Sequence, residues 1–267
     1  MDTRAKRIFI TGIAGFIGFH LALYLKRRGD VVIGVDNFND YYTPMLKRAR
    51  AARLHNEGIS VFETDIRNKA GLISLLQKHQ ITHVVHLAAQ AGVRHSIVQP
   101  DDYVDSNLHG FVSILETCRH HPGVSLVFAS SSSVYGLNGK TPFSVDDATD
   151  HPANLYGATK KAGEAMAHAY HHLYGIPTRG LRYFTAYGPW GRPDMAYFRF
   201  ADLIWEGKPI QVFNGGNMRR DFTYIDDIVR GTAAAIDFES AWDIFNLGHH
   251  RPVALKTLIA LLEERLD

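Results

Sequence analysis

Tyr156 and Lys160, in the stretch Tyr156-Gly157-Ala158-Thr159-Lys160, have types and spacing that fit a reaction. On a helix, positions i and i+4 share a face, so phenol and ammonium lie together. A phenol with a pKa near 10 is a poor base at neutral pH, and a neighbouring ammonium stabilises its phenolate. Upstream stand four hydroxyls in a row, Ser130 to Ser133, at the end of an apolar run. Serine, tyrosine and lysine at the carboxyl end of a parallel strand could bind a sugar or alcohol hydroxyl, remove its proton and release hydride. A hydride needs an acceptor. Thr11-Gly12-Ile13-Ala14-Gly15-Phe16-Ile17-Gly18 follows an apolar run and opens a helical pattern. Glycines there permit a tight turn and let a diphosphate approach the backbone, while the helix amino terminus supplies free N–H groups. Asp36 stands 18 residues beyond Gly18, where a carboxylate accepts bonds from both adenosine ribose hydroxyls. A 2′-phosphate would meet its charge, so the pattern points to NAD over NADP. Asp65-Ile66 closes the third strand, where an adenine could sit.

The elements that must hold these residues are legible as alternating patterns. Strands are expected at 7–11, 31–36, 59–63, 82–87, 124–130 and 177–184, with helices at 16–28, 43–56, 68–79, 101–120 and 154–174. Fully apolar strands between amphipathic helices mean a parallel sheet covered on both faces, and right-handed crossovers make it an α/β, doubly wound parallel sheet. After residue 185 the texture turns to Gly/Pro/Asn-rich loops such as YGPWGRPD and NGGNMRR. We therefore expect a main domain at 1–184 and, at 185–267, a smaller substrate-binding lobe interleaved with the main sheet. The 267 residues, 46% of them apolar, can bury a sizeable core. Twenty-nine Lys+Arg against 27 Asp+Glu give a net charge of +2, which is no footprint for nucleic acid. The single cysteine, Cys118, excludes an intrachain disulfide and a CxxC site. No apolar run would span a membrane, and MDTRAKRIFITG is not a signal peptide, so a soluble cytoplasmic protein is expected. The histidine pairs His120-His121, His171-His172 and His249-His250 point to different helix faces, and no metal site is expected.

The glycine turn, Asp36, the serine run before Val134-Tyr135-Gly136 and YGATK together resemble an extended short-chain dehydrogenase/reductase of the NAD-dependent epimerase/dehydratase family. Within it, DNFNDYYTPMLKRAR (36–50), AQAGVRHSI (89–97), LRYFTAYGPWGRPDM (181–195) and RRDFTYIDDIVRG (219–231) resemble nucleotide-sugar epimerases acting on UDP-glucuronate. The resemblance implies a Rossmann-type fold and a catalytic set of Ser131, Tyr156 and Lys160, with Ser132 as a helper. It implies that NAD is held by Gly12, Gly15, Phe16, Ile17, Gly18, Asp36, Asn37, Asp65, Ile66, Leu87, Ala88, Ala89, Gln90 and Asn107, and by Tyr156 and Lys160. Arg94 and Arg220 would meet the substrate's diphosphate and sugar region, where the arginine fork suits phosphate oxygens. Val212 and Phe213 would form a short strand facing the uracil. The implied reaction is transient oxidation at C4 and return of hydride to the opposite face, with NAD retained between turnovers. A homodimer pairing the helices near 101–120 and 154–174 is implied too.

Branches of that family differ at a few positions. Relatives that eliminate water or carbon dioxide carry an acid two places before the VYG tyrosine, and this chain has Ser133 there. Epimerases of uncharged UDP-glucose resemble LRYFN, and this chain reads Leu181-Arg182-Tyr183-Phe184-Thr185. Thr185 and Arg192 resemble the pair that receives a sugar carboxylate, and a buried anion needs such a partner. The expectation is therefore C4 epimerisation of UDP-glucuronate to UDP-galacturonate. A 4-epimerase of UDP-glucose or UDP-N-acetylglucosamine, and a non-catalytic NAD-binding sensor, are the alternatives. Relatives usually run on beyond the equivalent of Asp267 and are longer between Asp237 and Asp243, so a compact lobe with weaker substrate affinity is also expected.

Overall fold

The computed structural model describes residues 5–266, with backbone alone at 213 and 214. From the amino terminus, β1 (Arg7–Thr11), α1 (Phe16–Arg28), β2 (Val31–Asp36), α2 (Pro44–Asn56), β3 (Ser60–Glu63), α3 (Lys69–Lys78) and β4 (His83–His86) alternate as the apolar pattern requires. The helix expected at 101–120 divides into α5 (Pro100–Val104), a π turn at Asp105–His109 and α6 (Gly110–Arg119), preceded by the short α4 (His95–Val98). Then follow β5 (Ser125–Ser131), α7 (Leu155–Tyr174), β6 (Thr178–Tyr183), β7 (Thr185–Tyr187) and α8 (Ala196–Trp205). The remainder comprises β8 (Arg219–Arg220), β9 (Phe222–Tyr224), α9 (Ile225–Asp237), β10 (Trp242–Leu247), β11 (Val253–Ala254) and α10 (Leu255–Leu266).

Seven strands form one sheet in the order β10-β6-β5-β4-β1-β2-β3. Every pairing in it is parallel, for example Ile8 opposite Val32 on one side and His83 on the other. Both faces are buried because successive side chains alternate. Ile8 and Ile10 pack with Phe19, Leu21 and Leu25 of α1 and Ile228 and Val229 of α9. Phe9, Val84 and Phe128 turn the other way, onto Leu72 and Leu76 of α3 and Phe111 and Ile114 of α6. The strand order reverses between β1 and β4, and at that point the carboxyl ends of an open sheet leave a crevice for a ligand. Beyond β6 the chain builds two small ribbons, β7 with β9 and β8 with β11, before and after β10 joins the main sheet.

Candidate active site

A cleft of about 1530 Å³ runs along the carboxyl ends of the strands. Pockets for one drug-sized ligand span roughly 300–1,000 Å³, so this one has room for a dinucleotide and a second ligand end to end. One end is the turn from β1 to α1. Gly18 is required there because a Cβ at that position would stand 2.2 Å from the Gly12 carbonyl oxygen. Asp36 is buried at the end of β2, where its carboxylate accepts from the N–H groups of Ala14 at 3.1 Å and Phe38 at 2.9 Å. Burial pushes its pKa up, against those donors and the charges of Lys47 and Arg50. Asp65 is also desolvated, but bonds from Arg67 and from Asn37 hold its carboxyl below the ordinary range. Gly12, Gly15, Phe16, Ile17, Asn37 and Ile66 complete this end of the lining.

The wall at Leu87-Ala88-Ala89-Gln90 is braced from behind. Thr11 Oγ1 accepts from the Ala88 N–H and lies 2.8 Å from His86 Nδ1. Burial pushes the His86 pKa down to about 3, so the ring is neutral. Asn107 does not line this cleft. The π turn aims its amide at Gln90, accepting from the Gln90 N–H at 2.8 Å and donating to the Gln90 carbonyl at 3.0 Å, with Thr159 as third partner. Through these bonds Asn107 positions the wall. Gln90 Nε2 is buried and has no partner among the described residues. A donor left open beside the glycine turn and Asp36 is the chemistry that a dinucleotide's hydroxyls and amide would complete. The residues present fit NAD.

At the centre of the cleft β5 ends in Ser131, and α7 brings Tyr156 and Lys160 beside it. The Asn154 side chain caps α7 by accepting from the Gly157 N–H at 2.9 Å. Gly157 lets the helix start press on the strand end, since a Cβ there would lie 2.6 Å from the Ser133 carbonyl oxygen. Burial pushes the Tyr156 pKa up, opposed by a hydrogen bond with Ser131 and by the charge of Arg192. Lys160 is tied to the end of β5. Its Nζ donates to the Ala129 carbonyl at 2.8 Å and lies 5.9 Å from the Tyr156 ring centroid. Desolvation brings its pKa down to about 8.

Thr185, Arg192, Arg94, Arg220 and Ser132 also line the cleft. The short strand expected at Val212 and Phe213 does not form among the described residues. Phe213 opens a 3₁₀ turn that runs through Gly216, and Val212 lies outside the lining. The run Asn214-Gly215-Gly216 favours a turn over a strand, since these residues tolerate the left-handed backbone that Gly215 and Gly216 adopt. The side chain of Phe213, expected to face the uracil, lies outside the described residues.

Several residues that shape the site carried no chemical signature of their own. Arg50 is fully buried. It donates to the Ala14 carbonyl of the glycine turn at 3.0 Å, to the Tyr42 hydroxyl at 2.7 Å, and to the carbonyls of Trp190 at 2.6 Å and Gly191 at 3.1 Å. Trp190 holds a left-handed backbone (φ 60°) while its ring rests on Phe19. Behind Ser131, the buried Glu164 accepts from Ser130 at 2.6 Å and from Arg182 Nε and Nη2 at 2.9 and 3.0 Å. Arg182 also reaches the Tyr135 hydroxyl. An arginine in a strand expected to be buried was the one signal that could have exposed this pair.

The family model of the NAD dependent epimerase/dehydratase family matches residues 8–248. The chain belongs to that family. Among its relatives, UDP-glucuronate 4-epimerase 3 of Arabidopsis thaliana is 52% identical over 98% of this chain, which spans 65% of that relative's length. An uncharacterized protein of Methanocaldococcus jannaschii is 50% identical over 98% of this chain and 81% of its own. The crystal structure of UDP-glucuronic acid 4-epimerase from Bacillus cereus, in complex with UDP-glucuronic acid and NAD, superposes with a TM-score of 0.89 at 39% identity. That match covers 97% of this family member and 82% of the Bacillus chain.

Proposed function

We propose that this family member holds NAD at the β1–α1 turn and epimerises UDP-glucuronate at C4, giving UDP-galacturonate. The observation that carries the reading is that Ser131, Tyr156, Lys160, Thr185 and Arg192 all face one cleft. The names of the plant relatives and the ligands of the Bacillus structure support it. Gly12, Gly15, Gly18 and Asp36 would hold the adenosine diphosphate half of NAD, and Gln90 and Lys160 its other half. When bound, NAD would supply the acceptor and donor of the C4 hydride. Tyr156 takes the C4 hydroxyl proton as base, with Ser131 holding the same oxygen, and returns it after the 4-keto sugar has turned its other face. Lys160, its pKa brought down to about 8 by burial, can orient the ribose from its place on the Ala129 carbonyl. Thr185 and Arg192 would receive the carboxylate, and Arg94 and Arg220 the diphosphate.

The test is to incubate the purified protein with UDP-glucuronate, adding no NAD, and follow the sugar by proton NMR. Appearance of UDP-galacturonate supports the reading and its retained cofactor. Turnover of UDP-glucose in preference to the uronate defeats it. The same reading includes a substrate lobe at 185–267, a homodimer through α6 and α7 and a cytoplasmic location. Exposed Val112, Leu173 and Tyr174 on those helices support the dimer, and light scattering at twice the chain mass would be the expected outcome.

A further inference from the structure

Arg192 does not meet the cleft as a bare cation. Its Nε donates to Asp194 Oδ1 at 3.0 Å and its Nη2 to Asp194 Oδ2. Asp194 Oδ2 also accepts from the Tyr41 hydroxyl at 3.1 Å, and the Tyr41 ring lies 5.7 Å from the guanidinium carbon. All three side chains line the cleft, and those of Arg192 and Asp194 remain 22% and 26% exposed, within reach of a ligand. A guanidinium offers a carboxylate two edges, Nε with Nη2 and Nη1 with Nη2. Asp194 occupies the first edge, so the second is the one open to substrate.

We propose that Asp194 is a standing counter-carboxylate which shares Arg192 with the sugar's carboxylate, weakening that hold enough to let the oxidised ring turn. The proposal rests on the uronate reading above. Return of hydride to the opposite face requires the ring to present that face, and the carboxylate on C5, next to C4, must travel with it. If Arg192 had no other partner, departure of the substrate carboxylate would strand a desolvated charge, a strongly unfavourable state. Asp194 keeps the guanidinium paired throughout. The Tyr41 hydroxyl gives Asp194 a second donor. The two carboxylates thus share one cation, and the guanidinium is never left uncompensated.

Asp194→Asn keeps the shape and removes the competing charge. The expected result is a fall in KM for UDP-glucuronate on the order of fivefold, with a larger fall in kcat, while inhibition by UDP alone is unchanged. Tyr41→Phe takes away the other donor of Asp194, which then draws harder on Arg192, so KM should rise by about twofold; it serves as the second variant should Asp194→Asn fail to fold. For Asp194→Asn a KM that rises or stays put or a kcat that does not fall, and for Tyr41→Phe a KM that falls or stays put, overturns the proposal. Wild-type protein that binds UDP but leaves UDP-glucuronate untouched overturns the substrate reading, and this proposal with it.

Discussion

Lys160 holds a charge where its surroundings resist one, and that has a consequence for stability as well as chemistry. Its folded pKa of about 8 lies below the ordinary lysine value of 10.5. The unfolded chain therefore binds more protons between those two values, and stability rises with pH across that window. Below pH 8 the full desolvation cost is present. Lys160→Met should accordingly raise the stability at pH 7, by roughly 1–2 kcal/mol, while abolishing turnover. The gain over wild type should shrink as the pH approaches 10, and thermal melts at pH 7 and 9.5 read both points. Tyr156→Phe is the complementary change. Turnover should fall about 10²–10⁴-fold with bound NAD retained, checked by NMR and by the absorbance of cofactor released on denaturation. YGATK was legible because i and i+4 share a helix face. The link from Lys160 to the Ala129 carbonyl was not, since it depends on where a helix meets a strand 31 residues away.

Elements whose periodicity was plain emerged within a residue or two, from β1 through β6. What periodicity cannot carry is a local change of winding. The π turn at Asp105–His109 sits inside a pattern that reads as one helix, and its effect is to direct Asn107 at the Gln90 backbone. Likewise, two apolar residues at Val212 and Phe213 were too few to separate strand from turn. The elements around the serine run are tied by the buried Glu164–Arg182 pair, both side chains only 5% exposed. Glu164→Ala leaves Arg182 buried without its carboxylate, and should lower stability by about 3–5 kcal/mol in denaturant unfolding. Replacing both residues by Leu should cost clearly less, because the uncompensated charge then disappears. Equal losses in the single and double variants would mean that the pair is not what joins these elements.

Across the whole molecule, a doubly wound parallel sheet was readable from alternation and crossover handedness; the strand order itself came from the structure, and the place of the cleft follows from where that order reverses. The long-range tie made by Arg50 was not readable, because its partners lie 36 and 140 residues away and are backbone carbonyls, which every residue possesses. Arg50→Met should weaken NAD retention and raise KM for the sugar together, by about 1–3 kcal/mol in all. Dialysis followed by cofactor assay, alongside initial rates, separates that joint loss from damage at one end alone. The same tie bears on how such an enzyme can be redesigned or can diverge. The loop carrying Trp190, Gly191 and Arg192 is not a detachable cassette: its backbone is read by an arginine from α2 that also grips the glycine turn. A chimera transplanting that loop from a relative of different sugar preference would have to bring matching residues at Tyr42 and Arg50, or the graft would arrive without its anchor.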